Sequence, residues 1–294
     1  MIEANEKAYA KINLFLDVVS RREDGFHNIE TVMQTVSLAD EVSVSVDMEG
    51  EPLISVSVSN NPSIPTDEKS LVYKAIKRFL DAIDKRCYVQ AHLTSNIPTE
   101  AGLAGGSADA AAALRAVARI FGNPLSESEM LSIAASIGSD VAFCYKGGCA
   151  FCEGRGEIIT SLKNNTDIGF VVAKGQTGMS TPRAYSALDV EYSDFNGSKP
   201  TNGPSYRDKL FAALSCGGDI SECIYNVFES VVIREVPEIE EIKDIMIKNG
   251  ASAAMMSGSG TAVFGVFHSD CDRHQCIDVL RELGYFAQDC TAVF

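Results

Sequence analysis

The chain has 294 residues, of which 46% are hydrophobic and 22% are charged, a composition typical of globular proteins. Because this length exceeds the size at which a single hydrophobic core usually stops growing, we expect two domains. The formal net charge is −15, from 25 basic and 40 acidic residues, which argues against a nucleic acid or an anionic membrane as partner.

The first residues, MIEANEKAYAKINLFL, mix charges into an apolar run and lack the small-residue cleavage site of a signal peptide. No stretch approaches the roughly 20 apolar residues that a membrane helix needs. Nine cysteines without a secretion signal indicate reduced thiols rather than a disulfide framework. We therefore expect a cytoplasmic protein.

The first half of the chain predicts alternating strands and helices. Strands are expected where apolar residues alternate with polar ones or run together, and helices where they recur at helical spacing. Ser126 and Glu129 stand at capping-box spacing, which marks the start of a helix. The expected strands are Ala10–Val18, Glu41–Val46, Leu53–Val58 and Val89–Leu93, and the expected helices are Leu71–Ile83, Ala108–Phe121 and Ser126–Ile137.

The second half predicts helices layered on an antiparallel sheet, so the fold class is α+β. A polar loop is expected at Asp189–Tyr206, and the domain boundary falls near residue 160, which gives domains 1–160 and 161–294. The expected strands are Phe170–Ala173, Ala251–Met256, Ala262–Phe267 and Tyr285–Val293, and the expected helices are Asp219–Ile233, Ile239–Asn249 and Cys271–Leu283.

A glycine-rich run, Pro98–Ser107, lies between an expected strand and an alanine-rich helix. Glycine allows positive φ and a close approach of the backbone to a ligand, and a helix amino terminus favours anions. The run satisfies neither the Walker pattern nor GxGxxG. It predicts an anion cradle, and the alternative is a tight strand-to-helix connection without a ligand.

Three shorter signals carry little alone. Lys11 sits in an apolar strand, with Asn13 on the same face, and either serves a site or reaches the surface with its ammonium group. Asp140 follows an expected helix, where a turn or cap role is the simplest interpretation. The segment Gly258–Gly260 forms a glycine/serine turn between two expected strands.

Two cysteine groupings have features of metal sites. Cys149 and Cys152 form a lone CxxC without the second pair that a structural zinc site requires. His268, Cys271, His274 and Cys276 are spaced like ligands but open an amphipathic segment. Core packing is the favoured interpretation of both groupings, because buried cysteine is common.

Taken together and in this order, the glycine-rich run, the Lys11 strand, the Asp140 segment and the Gly258–Gly260 turn resemble the motifs of the galactokinase, homoserine kinase and mevalonate kinase (GHMP) superfamily. The resemblance implies a ribosomal-protein-S5-domain-2-like amino-terminal domain and a ferredoxin-like carboxy-terminal domain. It also implies ATP and Mg²⁺ as cofactors, with Ser107 as a candidate hydroxyl on the metal side. The ATP-binding residues that it implies are Pro98, Thr99, Glu100, Ala101, Gly102, Leu103, Ala104, Gly105, Gly106, Ser107 and Ala108.

Within the superfamily, the run from Arg22 to His27, with Gln34 and Ser180–Tyr185, resembles kinases whose acceptor is a cytidine-diphosphate-linked sugar alcohol of the non-mevalonate isoprenoid pathway. Four residues depart from the pattern of that group. Phe26 replaces a tyrosine, and a proline is replaced at Ala142 and at Thr261. Ala104 replaces a glycine, which we expect to be tolerated if its φ is negative.

The resemblance implies that Asp140 is the base that takes the hydroxyl proton and that Lys11 is its charged partner. Asp140 would stay ionised beside the ammonium group, which could also stabilise the transferring phosphoryl. A cytosine ring would lie between Phe26 and Tyr185. The implied acceptor-binding residues are Asn13, Phe26, His27, Thr181 and Tyr185, with Gly258, Ser259 and Gly260 as the carboxy-terminal motif.

Two other functions stay open from the sequence. One is a different small-molecule kinase of the superfamily, of the homoserine or mevalonate type. The other is a catalytically silent protein that binds the nucleotide, against which the retained Lys11 and Asp140 argue. The expected partners are ATP and a small alcohol, and the expected assembly is a monomer or a homodimer.

Overall fold

The computed structural model describes residues 1–192 and 203–294, and the chain forms two compact units. The first unit comprises Met1–Ala10, Leu38–Ile97 and Ala104–Gly147, and the second comprises Lys11–Ser37, Pro98–Leu103 and Gly148–Phe294. Part of the loop expected at Asp189–Tyr206 lies outside the described residues. None of the helices in the described ranges has the length and apolar character that a bilayer crossing requires. The division at residue 160 stays a prediction.

Two long neighbouring strands, β1 (Ile2–Arg21) and β2 (His27–Asp47), contribute residues to both units. Both extend well beyond the expected segments Ala10–Val18 and Glu41–Val46. The sequence pattern missed these extensions because charged and polar residues interrupt the apolar alternation. In β1, Ile12, Leu14 and Phe15 are fully buried.

The first unit combines strands with helices that pack on one another and on the strands. β3 (Leu53–Ser59) runs parallel to β4 (Tyr88–Thr94), and β4 runs antiparallel to the Glu41–Asp47 part of β2. The helix between them, α1, begins at the cap Ser70, and the predicted capping box of Ser126 and Glu129 is present at α3. The helices of this unit are α1 (Leu71–Ala82), α2 (Gly105–Ile120), α3 (Glu127–Ile137) and α4 (Ser139–Lys146).

The second unit contains two sets of strands. β5 (Cys149–Gly154) pairs antiparallel with the Ile29–Gln34 part of β2 and with β6 (Ile158–Leu162). An antiparallel four-stranded sheet has the order β11-β7-β10-β9. Its strands are β7 (Gly169–Lys174), β9 (Ala253–Met256), β10 (Val263–Phe267) and β11 (Phe286–Thr291).

The helices α8 (Glu238–Lys248) and α9 (Asp270–Glu282) pack on this four-stranded sheet, as the sequence predicts. Burying their apolar faces gives the unit its core, in which Ile242, Met246 and Leu280 are fully buried. The remaining elements of the unit are α5 (Thr181–Glu191), α6 (Gly203–Cys216), β8 (Tyr225–Asn226) and α7 (Glu229–Glu235). The expected α+β fold class is confirmed.

The expected helix Asp219–Ile233 is wrong, because strand β8 interrupts it and α7 begins only at Glu229. β8 pairs parallel with β1, through Phe15 opposite Tyr225. The Asn226 side chain donates to the carbonyl oxygens of Met256 and Gly258 at 2.7 and 2.8 Å. These long-range bonds override the helical spacing of the local sequence.

Candidate active site

Lys11 is a buried cation on β1, with 4% of its surface exposed. Its Nζ atom donates to Oδ1 of Asn13 at 2.7 Å and to the carbonyl oxygen of Gly102 at 3.0 Å. Asn13 faces the same side of the strand because side chains alternate with a period of two. The alternative of a lysine reaching the surface is therefore wrong.

The orientation of the Asn13 amide is fixed by Thr31 on the neighbouring strand β2. The Thr31 hydroxyl donates to the carbonyl oxygen of Phe15 at 2.6 Å, so its oxygen accepts from Nδ2 of Asn13 at 2.8 Å. This arrangement turns the amide oxygen of Asn13 toward Lys11. All three polar side chains, of Lys11, Asn13 and Thr31, are buried, which keeps the ammonium group in place.

Gly102 joins the glycine-rich run to the carboxy-terminal motif. Its φ is +72°, and a Cβ atom at this position would lie 2.0 Å from the carbonyl oxygen of Ser257, so only glycine fits. Ser257 donates from Oγ to the carbonyl oxygen of Gly102 at 3.0 Å and accepts from the backbone N–H of Asn13 at 3.3 Å. Three segments far apart in sequence thus meet around Lys11.

Thr261, where the resemblance implies a proline, adds to this junction. Its backbone N–H donates to the carbonyl oxygen of Glu100 at 3.3 Å, and its hydroxyl donates to that of Thr177 at 2.7 Å. A proline offers neither donor. The departure from the family pattern therefore adds two hydrogen bonds to the glycine-rich run and its surroundings.

The amino terminus of α2 has the features of an anion site. The helix begins after Ala104 without a side-chain cap and carries no acidic residue in its first turn, so its first N–H groups and its dipole can serve a ligand. A Cβ atom on Gly106 would meet nothing closer than 3.9 Å, so space is open there. These features fit the phosphates of a nucleotide. The condition under which Ala104 was expected to be tolerated, a negative φ, is not met, because this residue adopts a left-handed conformation with φ of 60°.

Asp140 is the second residue of α4 and is half-buried. The sequence predicted a turn or cap at this position, and the structure instead shows a short helix that starts after Gly138. The helix therefore places Asp140 in its first turn, at its amino-terminal end.

The expected acceptor-binding residues fall into two groups in the second unit. The buried His27 ring stacks on Tyr185 with 4.8 Å between ring centroids, and its Nε2 lies 2.8 Å from Oδ1 of Asp189. The Thr181 and Ser259 hydroxyls are 3.0 Å apart. The Phe26 ring is mostly exposed under the guanidinium of Arg155.

In this structure the ring that stacks on Tyr185 is thus His27 and not Phe26. A cytosine between Phe26 and Tyr185, as the resemblance implies, would need these rings to lie on either side of it. Asp189, which lies next to His27, was not expected from the sequence. The sequence predicted only a polar loop at 189–206, which begins at this residue.

Sequence reasoning also missed a buried carboxyl pair in the first unit. Asp40 on β2 accepts the backbone N–H groups of Asn96 and Ile97 at 2.5 and 2.6 Å, and it shares a hydrogen bond with Asp109 on α2. Burial and the nearby Asp40 raise the pKa of Asp109 to about 8, so one proton is shared at neutral pH. An aspartate inside the alanine run of α2 was the available signal. Through this pair, Asp40 holds the chain on both sides of the glycine-rich run.

The two cysteine groupings do not form metal sites within residues 1–192 and 203–294, where no three metal-binding side chains gather. Cys276 is fully buried in the second unit. His268 and His274 lie near the carboxylates of Asp219 and Asp289, at 3.6 and 3.7 Å. Core packing accounts for Cys276, and both histidines lie at the surface.

Comparison with protein families gives two matches. Residues 70–148 match the family described as GHMP kinases N terminal domain, and residues 210–285 match GHMP kinases C terminal. The chain belongs to the GHMP kinase family, and it is a small-molecule kinase that uses ATP as phosphate donor.

Within that family, its relatives include the 4-diphosphocytidyl-2-C-methyl-D-erythritol kinases of Caldicellulosiruptor saccharolyticus and Clostridium novyi. The first is 40% identical over 94% of this chain and 92% of the relative, and the second is 38% identical over 94% and 95%. A crystal structure of 4-(cytidine 5'-diphospho)-2C-methyl-D-erythritol kinase matches with a TM-score of 0.76 and 30% identity, over 98% of this chain and 99% of that one. A homoserine kinase from Cytophaga hutchinsonii has the same TM-score at 17% identity, over 99% of this chain and 97% of that one, which shows the shared fold alone.

Proposed function

We propose that the protein transfers the terminal phosphoryl group of ATP to the 2-hydroxyl of 4-diphosphocytidyl-2-C-methyl-D-erythritol, in the non-mevalonate isoprenoid pathway. The observation that carries the proposal is the buried Lys11, held by Asn13 and by the carbonyl oxygen of Gly102, in a chain whose relatives bear this substrate in their names. A buried ammonium beside a glycine-rich run suits the stabilisation of a transferring phosphoryl group.

Asp140 is the proposed base that accepts the proton of the 2-hydroxyl. It stands in the first turn of α4, and a positioned carboxylate contributes about 10²–10⁴-fold to turnover. Lys11 is the proposed electrostatic partner. Its ammonium would stabilise negative charge on the phosphoryl oxygens as the bond to the leaving group breaks.

The residues 98–108 are proposed to hold ATP, chiefly through the uncapped amino terminus of α2 and the open space at Gly106. Mg²⁺, when bound, would offset the charge of the phosphates, and Ser107 is the residue whose hydroxyl could face it. The net charge of the whole chain, −15, makes such local positive features necessary.

The acceptor is proposed to bind through Asn13, Phe26, His27, Thr181 and Tyr185, with the segment Gly258–Gly260 beside it. The hydroxyl pair of Thr181 and Ser259 offers donors and acceptors to a sugar alcohol, and the aromatic groups offer a stacking surface to the base. We further propose a cytoplasmic enzyme that acts as a monomer or a homodimer.

The test is ADP release in a coupled assay with four acceptors: 4-diphosphocytidyl-2-C-methyl-D-erythritol, mevalonate, homoserine and galactose. We expect kcat/KM for the cytidyl compound to exceed that for the other three by at least about 10³-fold, because a pocket built for a base leaves its polar groups unpaired with smaller acceptors. A preference for mevalonate or homoserine would assign the chain to another branch of the family. ATP binding without ADP release would indicate a silent nucleotide-binding protein.

A further inference from the structure

Arg115 on α2 connects three segments of the first unit. Its Nε atom contacts Oε2 of Glu6 at 3.3 Å, and its Nη2 donates to the carbonyl oxygen of Lys7 at 3.1 Å. Its Nη1 donates to the carbonyl oxygens of Cys144 and Tyr145 at 2.9 and 3.5 Å. About a quarter of the Arg115 side chain is exposed, so these bonds form in a largely desolvated setting.

The two carbonyl groups that Arg115 binds on α4 belong to the last turn of that helix. The last carbonyl groups of a helix have no partner within it, and a cation at this end is favoured by the dipole. Arg115 therefore satisfies this end of α4 and fixes it along the helix axis. The fork of the guanidinium group also fixes the rotation of the last turn, because several N–H groups in one plane meet separate acceptors.

Asp140 stands at the other end of the same helix. Cys144 is four positions after Asp140, so the two residues are about 6 Å apart along the helix axis at 1.5 Å per residue. α4 has only eight residues, Ser139–Lys146, and packs against α2 and α3. A helix of two turns moves as one piece, so a shift of its last turn displaces Asp140 by a similar distance.

We infer that Arg115 is a positioning residue for phosphoryl transfer, which holds α4 where the carboxylate of Asp140 meets the acceptor hydroxyl. The inference rests on the proposed function, in which Asp140 is the base. A misplacement of a reacting group by about 1 Å can cost about 10²-fold in rate. Arg115 thus acts on turnover through Asp140 without touching either substrate.

Arg119, one turn farther along α2, provides the matched control. It forms an ion pair with the same Glu6, and its side chain is 60% exposed. Within the part of the chain that the structure describes, Glu6 is the partner of its guanidinium, and no hydrogen bond joins it to α4. The two arginines therefore share the contact with Glu6 and differ in the contact with α4.

The experiment compares Arg115→Lys, Arg119→Lys, Asp140→Asn and the double variant Arg115→Lys/Asp140→Asn. For each, kcat, both KM values, the ATP dissociation constant and the melting temperature are measured. We expect Arg115→Lys to lower kcat by about 10- to 100-fold with KM and ATP affinity changed less than about threefold, because an ammonium cannot bind the two α4 carbonyls and Lys7 in one plane. Arg119→Lys is expected to keep kcat within about twofold.

The double variant decides whether Arg115 acts through Asp140. If it does, the double variant is no slower than Asp140→Asn within about twofold, since a missing base cannot be misplaced. The inference is overturned if kcat of the double variant lies below that of Asp140→Asn by the same factor that Arg115→Lys alone costs. It is also overturned if kcat of Arg115→Lys is unchanged. Should Arg115→Lys fail to fold, Arg115→Gln, which retains an amide donor, is judged by the same comparison.

The proposed role of Asp140 and the inferred role of Arg115 can be rejected independently of each other. If Asp140→Asn retains more than a tenth of the turnover, Asp140 is not the base, whatever Arg115 does. If Asp140→Asn abolishes turnover while Arg115→Lys is unaffected, the proposed function stands and the role of Arg115 is wrong.

Discussion

Lys11 and Asn13 form a buried pair on one strand, with the ammonium nitrogen 2.7 Å from the amide oxygen. The pair is extended by Thr31, which holds the Asn13 amide in a single orientation. The carbonyl oxygen of Gly102 accepts a second hydrogen bond from the same ammonium group at 3.0 Å. The arrangement therefore suits a group that stabilises phosphate oxygens.

The role of Lys11 is tested by Lys11→Ala and Lys11→Arg. We expect the alanine variant to lose at least about 10²-fold in kcat and the arginine variant to recover little of it, because a planar guanidinium cannot occupy the site of a compact ammonium. Lys7→Ala, which removes an exposed lysine of the same strand, is the control and should be nearly normal. Steady-state kinetics check this, and near-normal turnover in Lys11→Arg would show that bulk positive charge suffices.

The junction at Gly102 is tested against the open position at Gly106. Gly102→Ala places a methyl group against the carbonyl oxygen of Ser257 and strains a φ of +72°, so we expect a clear fall in melting temperature. Gly106→Ala meets nothing closer than 3.9 Å and should leave the melting temperature nearly unchanged while it weakens ATP binding. Thermal unfolding and calorimetry check this. Equal effects of the two variants on both quantities would contradict the different roles of these glycines.

The Asp40 and Asp109 pair predicts how stability depends on pH without nucleotide or magnesium. The pKa of Asp109 is raised from the ordinary 3.8 to about 8, so between pH 4 and 8 the folded chain binds a proton that the unfolded chain has lost. Stability from this group is therefore present below pH 4 and is lost as the pH rises toward 8, by up to about 1.4 kcal/mol per pH unit.

Asp109→Asn checks this dependence, because its amide can donate to Asp40 at every pH. We expect the free energy of unfolding of the variant, from urea titrations between pH 5 and 8, to fall less steeply with pH than that of the wild type. Parallel profiles for the two proteins would show that Asp109 carries no shared proton.

The base specificity of the acceptor is tested at His27 and Tyr185. We expect Tyr185→Ala to weaken cytidyl and uridyl acceptors alike, since stacking does not distinguish bases. His27→Ala should weaken the cytidyl compound more, by about 5- to 150-fold in KM, which is the cost of a lost hydrogen bond to a buried polar edge. Phe26→Tyr should be mild. KM ratios that stay constant across the three variants would exclude these residues from base recognition.

The local sequence predicted elements whose signals are also local. The helix from Leu71 and the capping box of Ser126 and Glu129 are confirmed, because helical spacing and helix capping depend on residues close together in the sequence. The shared face of Lys11 and Asn13 follows from strand alternation in the same way. The bond of Lys11 to the carbonyl oxygen of Gly102 joins chain segments 91 residues apart and was not predictable.

The elements that the sequence did not predict also depend on contacts between distant segments or on signals too short to detect. α4 was missed because eight residues after Gly138 show too little periodicity, and β8 was missed because its partners lie on β1 and near Met256. The pair of Asp40 and Asp109 likewise joins two elements through residues 69 positions apart in the sequence. The resemblance named the residues of the site, whereas the hydrogen bonds that hold them came only from the structure.

The most direct test of the proposed reaction is phosphorus NMR of the product formed from ATP and 4-diphosphocytidyl-2-C-methyl-D-erythritol. The carbon that bears the 2-hydroxyl also bears the methyl group and carries no hydrogen. A phosphate on that oxygen has no proton three bonds away, so the account predicts a new monoester resonance without vicinal proton coupling, formed in equal amount to ADP. A doublet or triplet would place the phosphate on another hydroxyl, and the absence of any new monoester signal while ATP is bound would contradict the proposed reaction.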